Sequence, residues 1–407
     1  MRLTTVLMAG LLGSLAATTA LSADYTDGVI KIGVLNDQSG TYSDLSGQGS
    51  VWAAKKAVDD YCKANKCDEK IEVIFGDHQN KPDIGASIAR RWYDVEGVDM
   101  IVDTPTSSVA FAVSDITKEK NKVFLNSGAG ASELTGAKCS PNFVHWTYDT
   151  WALANGTGSA IVKEGGNTWF FLTADYAFGK ALERDTAAAV EKLGGKVLGN
   201  VRHPFPAQDF SSFLLQAQGS GAKIIGLANA GADTINAIKQ ASEFGIVQGG
   251  QNLAGLLVFL TDIHSLGLQT AQGLLLTTAW YWDTSDANRE FAKEFSAANK
   301  GNYPTMVQAG VYSAVTHYLK AVHALGSDAD GAAIVAKMKE MPVDDKLFGK
   351  GTIRQDGRKI HDMLLVEVKK PSESKGGWDY YKIRTTIPAA EAFRPMSEGG
   401  CPLVSKS

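Results

Sequence analysis

The sequence predicts an α/β protein built as two similar, doubly wound parallel-sheet lobes joined by crossover strands at a hinge. Three observations carry this. Short β-rich runs alternate with helical patterns, as repeated βα units do. The runs are apolar at successive positions, as in strands covered on both faces. The rhythm pauses near residue 125 and restarts near residue 168. The first series reads strand 30–35, helix 49–61, strand 71–75, helix 83–93, strand 100–102, helix 109–119 and strand 123–125. The second reads strand 168–172, helix 179–193, strand 196–201, helix 210–218, strand 224–228 and helix 234–244. An apolar strand within 273–280 then returns the chain to the first lobe, ahead of a long amphipathic helical region over 286–325. Residues 353–369 read as a hairpin, with Gln355-Asp356-Gly357-Arg358 as turn and 363–368 as return strand. The tail beyond Pro371 is rich in Gly, Ser and Pro and has no usable periodicity. The expected division is a leader at 1–22, first lobe 23–147 and 277–348, second lobe 148–276 and 349–370, and a C-terminal extension at 371–407.

The leader resembles a secretory signal: Arg2 is its only charge, an apolar stretch runs from Leu3 to Leu15, and Ala20-Leu21-Ser22 offers small residues at cleavage spacing. No later stretch approaches the roughly 20 apolar residues that span a bilayer, so a soluble exported protein is expected. The formal net charge of −4 is spread without long runs, which gives no footprint for nucleic acid or an anionic membrane. Export permits disulfides among the four cysteines, Cys62, Cys67, Cys139 and Cys401. Of three possible pairings, Cys62 with Cys67 closes a small loop at a helix end, and Cys139 with Cys401 ties down the tail. No CxxC pair or nearby histidine supports zinc.

No nucleophile elbow, phosphate-binding loop, dinucleotide fingerprint or HExxH pair is present, and the seven histidines are scattered. Neither an enzyme nor a cofactor or metal site is expected. The loops after strands speak instead for binding. After strand 100–102, Thr106, Ser107 and Ser108 start a helix; after strand 123–125, the loop SGAGAS carries Ala129 and Gly130. Hydroxyls, free N–H groups and the positive end of a helix dipole favour a carboxylate. The loop after the first strand holds Gln38, Ser39, Gly40, Thr41 and Tyr42, where open α/β sheets take ligands.

Taken together, IGVLNDQSGTYSDLSGQG, the TSS turn followed by AVSDI, SGAGASELT, TADYAFGKAL, and QDFSSFLLQAQ with DTINAIKQASEFGI resemble the branched-chain amino acid type of periplasmic substrate-binding protein. The resemblance implies the type I "Venus flytrap" fold and a monomeric periplasmic receptor serving the permease and ATPase subunits of an ABC importer. It makes Ser107 the carboxylate-binding serine, with Ser108 beside it, and Ala129 a backbone contact to the ligand head. Gly130 stands where amino-acid binders usually carry threonine. Asn229, Ala230 and Gly231 stand where a tyrosine is common, and Leu256 to Phe259 where a carboxylate pairs with the ligand's amine. An unpaired ammonium out of water is penalised by several kcal/mol, so an aromatic acid is expected, walled by Tyr42, Tyr148 and Trp151, with Trp280 and Trp282 on one face of the second crossover. The alternative is an aliphatic amino acid held by Asp262; a ligand sensor or an exported hydrolase is the alternative in kind.

Overall fold

The computed structural model describes residues 25–405; the expected leader lies outside the described residues. Each lobe is built on a parallel sheet. In the first, β1 (Val29–Asn36), β2 (Lys70–Asp77), β3 (Met100–Asp103), β4 (Val123–Asn126) and β5 (Phe143–His145) stand in the order β2-β1-β3-β4-β5. In the second, β6 (Thr168–Ala174), β7 (Lys196–His203), β8 (Ile224–Ala228) and β9 (Asn252–Gly255) stand in the order β7-β6-β8-β9. The two orders repeat one plan, in which the chain reverses direction across the sheet beside its first strand. All residues of β3, β4 and β8 are buried, as expected of central strands covered by helices on both sides.

That plan decides where a ligand can go. Loops at the carboxyl ends of strands beside the reversal point form a crevice, and the two crevices face each other. Among the helices, Gly47–Asn65 packs against Met306–Leu325, so the second passage through the first lobe completes its core. The expected single helical region over 286–325 is two helices, Asp286–Ala298 and Met306–Leu325, separated at Pro304 and capped by Thr305, whose hydroxyl accepts from Val307 N at 3.2 Å.

The C-terminal third departs from the expected hairpin. The turn at 355–358 joins β12 (Gly349–Ile353) to the short β13 (Lys359–Ile360), and β11 (Val343–Asp345) completes that small sheet. β14 (Met363–Val368) leaves it and runs antiparallel between β10 (Leu275–Thr278) and β15 (Tyr381–Ile387). Burial explains the choice: Met363, Val366 and Val368 are fully buried, and hairpin pairing with β12 would leave that apolar face without a core. The tail is thus part of a sheet. Disulfides join Cys62 to Cys67 at the end of the helix Gly47–Asn65, and Cys139 to Cys401 across 262 residues. No helix among the described residues is long and apolar enough to cross a membrane.

Candidate ligand site between the lobes

The loops at the strand ends close on each other around a narrow slot of about 10 Å³, nearly filled by its own side chains. Its walls come from Tyr42 and Leu45 after β1, Pro105 after β3, Gly128 after β4 and Tyr148 after β5; opposite lie Tyr176 and Phe178 after β6, Ala230 after β8, and Leu257 and Phe259 after β9. The lining is therefore aromatic and apolar on both sides, with Tyr148 at the first crossover.

Local chemistry sets each wall. The buried Asp37 carboxylate accepts from Gly40 N at 2.7 Å, Tyr42 N at 2.8 Å and Asn80 Nδ2 at 2.6 Å, which folds the loop so that Tyr42 points across to the other lobe. There its hydroxyl meets that of Tyr176, and its ring stacks on Phe205 at 5.4 Å. Burial pushes the hydroxyls of Tyr42 and Tyr148 well above the ordinary tyrosine range, so both stay neutral. At the end of β3, Asp103 and Thr104 adopt φ of +86° and +55°. This strained turn brings Pro105 to the slot and starts the helix Ser107–Glu119.

Ser107 is fully buried at that helix start, and its Oγ accepts from Gly130 N at 3.3 Å and Ala131 N at 3.2 Å. The two expected anion-binding segments are therefore joined, and the Ser107 hydroxyl proton is left to donate elsewhere. Ser107 itself is not a wall residue, and Ser108 follows it, partly exposed. Ala129 is committed: its N–H donates to Asn126 Oδ1 at 3.0 Å, and its carbonyl accepts from His145 Nε2 at 2.7 Å and Asn126 Nδ2 at 2.9 Å. Gly130 lies against the wall, where an added Cβ would sit 2.9 Å from the rings of both Phe178 and Tyr148. Gly130→Thr is expected to hold the lobes apart, weakening any slot ligand about tenfold or more, and also to lower the melting temperature, because opening relieves the clash with Phe178 but not the one with Tyr148. Calorimetric titration and a melting curve check this, and unchanged affinity would refute the wall assignment.

In the second lobe, Gly231 at φ +59° packs so closely on Thr41 O and Tyr42 that a Cβ would stand 2.4 Å from that carbonyl. It is a contact between lobes. Asn229 is occupied, with Nδ2 on His203 Nε2 at 3.1 Å and Oδ1 accepting from Thr234 Oγ1 at 2.6 Å. Asp262 is buried, its Oδ2 accepts from Phe259 N at 2.9 Å, and burial pushes its carboxyl up to about 7. No ion pair reaches it among the described residues.

Three expected wall residues lie elsewhere. Trp151 borders a separate groove with Asn155, Asp185 and Ile387. β10 ends at Thr278, so the two-residue period no longer applies at 280 and 282: Trp280 packs edge-on to Phe291 at 6.1 Å, and Trp282 Nε1 donates to Trp378 O at 2.8 Å. Conversely, the wall residues Tyr176 and Phe178 were missed, although the loop after β6 corresponds to the loop after β1 that yielded Tyr42. The one group of metal-ligand type among the described residues, Cys67 with Glu69 and His323, has its sulfur committed to Cys62.

Two hinged α/β lobes closing on a slot at their facing strand ends define a receptor that captures a small molecule. The chain belongs to the periplasmic binding protein family, whose sequence model matches residues 29–377. It is similar to a periplasmic binding protein from Burkholderia mallei, 54% identical, with a TM-score of 0.90 over 93% of this chain and 100% of that one. A branched chain amino acid ABC transporter periplasmic ligand-binding protein from Burkholderia xenovorans is 39% identical, with a TM-score of 0.80 over 92% and 99%. The Leu/Ile/Val-binding protein homolog 6 of Brucella melitensis is 27% identical, over 89% of this chain and 92% of that protein. The family is that of the solute-binding components of ABC transporters, and it is periplasmic.

Proposed function

We propose that this receptor closes on one small aromatic carboxylate and delivers it to the permease and ATPase of an ABC importer. The observation that carries the reading is the slot's lining: of ten wall residues, Tyr42, Tyr148, Tyr176, Phe178 and Phe259 are aromatic, and none is charged. Flat rings stack well there. Ser107, at the start of its helix, supplies a hydroxyl donor and the positive end of a helix dipole for the carboxylate. Closure is a hinge motion in which the ligand touches both lobes and so shifts an open–closed equilibrium.

A branched-chain or other aliphatic amino acid is the second reading, and one observation favours it: Asp262 is a buried acid near neutral pKa with no cationic partner among the described residues. The two readings differ in proton traffic. An ammonium beside Asp262 would force out its bound proton, about half of one at pH 7 for a group half-titrated there. An aromatic acid leaves that proton alone. Titration calorimetry at pH 7 with benzoate, 4-hydroxybenzoate and leucine, in two buffers of different ionisation enthalpy, separates them. Micromolar binding of a benzoate with heat independent of buffer is expected. Leucine binding with proton release, and no benzoate heat, would overturn the proposal.

A further inference from the structure

The C-terminal extension makes a fourth connection between the lobes, beyond the three crossovers. At its start, the Trp378 indole lies between two rings, stacked on His264 at 4.0 Å and 9° and on Tyr303 at 5.5 Å and 5°. Their backbones lead into different lobes, although the Tyr303 ring packs against the same apolar cluster as Trp378. His264 is in the helix Leu260–Leu266, which follows β9 and whose N-cap, Phe259, is a slot wall. Tyr303 precedes the helix Met306–Leu325 of the first lobe, where the Thr305 hydroxyl donates to the carbonyl of Leu45, another slot wall, at 2.8 Å. Trp378 holds φ +70°, a conformation that a bulky residue keeps only when its surroundings impose it.

The extension then runs as β15 along the second lobe's side and crosses the hinge. Phe393 lies under the Arg358 guanidinium at 4.4 Å and beside His361 at 5.3 Å. Immediately beyond, Arg394 donates to the carbonyl of Ser132 at 3.0 Å, while its own carbonyl accepts from Arg354 at 2.8 Å. Cys401 is bonded to Cys139. Ser132 closes the loop that holds Gly130 and Ala131 on Ser107, and Cys139 follows seven residues later. A tail that merely finished the fold would need only its pairing with β14. This one is also fixed to both flanks of the slot without supplying a wall residue.

We propose that residues 378–401 act as a strap that positions the loop around Gly130 and biases the lobes toward closure, with Trp378, Arg394 and Cys401 as positioning residues. Opening must draw Tyr303, whose backbone leads into the first lobe, away from the cluster that holds Trp378. The far anchor holds the loop in register whether or not the slot is occupied. The strap needs no particular ligand, so its test stands apart from the reading above.

Hydrogen exchange by mass spectrometry on the full chain, with no ligand added, reads both anchors. In the triple variant R394Q/C139S/C401S, the amides of 130–136 are expected to exchange about tenfold faster or more, with β4 and β6 unchanged. In His264→Ala, a change on the protein surface, the amides of 259–266 are expected to exchange about fivefold faster. Small-angle scattering of either variant should also report a larger radius of gyration than the parent. Acceleration confined to 376–405 in both variants, with unchanged dimensions, would overturn the strap. Should the triple variant not fold, His264→Ala decides the matter alone.

Discussion

Ser107→Ala is expected to weaken an aromatic carboxylate by about 30- to 150-fold, roughly 2–3 kcal/mol. The hydroxyl does two things at once. It accepts from Gly130 N and Ala131 N, and its own proton is free for a carboxylate oxygen. Alanine removes the charge-assisted bond to the ligand and leaves two buried N–H groups without an acceptor, each costing about 1–3 kcal/mol if unsatisfied. Part of that second cost falls on the free protein, so a stability loss of about 1–2 kcal/mol should accompany the loss of affinity. Ser108, partly exposed one residue further along the helix, serves as the control: Ser108→Ala should shift affinity by no more than about threefold. Calorimetric titration of 4-hydroxybenzoate with both variants, alongside urea unfolding, measures the two effects separately. Equal dissociation constants for parent and Ser107→Ala would remove the carboxylate anchor from the proposed site.

The βα rhythm, the two-lobe plan and the cysteine pairing were legible because each rests on local pattern: apolar runs of strand length, helical spacing, and cysteines at a helix end or a loose tail. The lining of the candidate slot was legible only in part. Tyr42 followed from the rule that ligands sit at strand carboxyl ends beside a reversal point, and applying that rule to β6 reaches Tyr176 and Phe178 as well. Trp280 and Trp282 misled for a definite reason. A two-residue period places side chains on one face only while the backbone is extended, and β10 stops before them. Asn229 and Ala129 sit where a ligand contact was expected, yet their polar groups are spent on Thr234 and Asn126 close by in the chain and on His203 and His145 further off, pairings that the strand and helix pattern does not reveal. The partner of β14 was a similar case. Tyr381, Ile383 and Ile387 give the tail the β-rich character of a strand, but which edge it joins is decided by tertiary burial of Val366 and Val368.

Arg358→Met should be the most destabilising single change at the hinge, about 3–5 kcal/mol. The guanidinium is fully buried; Nε donates to Lys359 O at 3.0 Å and NH1 to Tyr148 O at 3.0 Å, and Asp149 Oδ2 lies 3.6 Å from it. It thereby joins the first crossover, at Tyr148 and Asp149, to the third. Burial draws its pKa down to about 10, still well above neutrality, so the charge remains. Burial also raises Asp149, and Arg358 is the main charge opposing that rise. Without the guanidinium, the folded pKa of Asp149 climbs further above the unfolded value near 3.9. Between those two values the unfolded state releases its proton first, so the variant loses stability as pH rises. His145, depressed by burial and then by Arg358, and His361, depressed by burial, by Lys359 and then by Arg358, are each partly relieved when it is gone, which spares the variant at low pH and acts in the same direction. The gap between parent and variant should therefore be small near pH 4 and several-fold larger at pH 8, and Asp149→Asn added to Arg358→Met should recover about half of it. Urea unfolding of the three variants at both pH values tests the sign. A gap that stays constant with pH would mean that Asp149 does not depend on Arg358 for its charge, and that the hinge is held by packing against Phe393 instead.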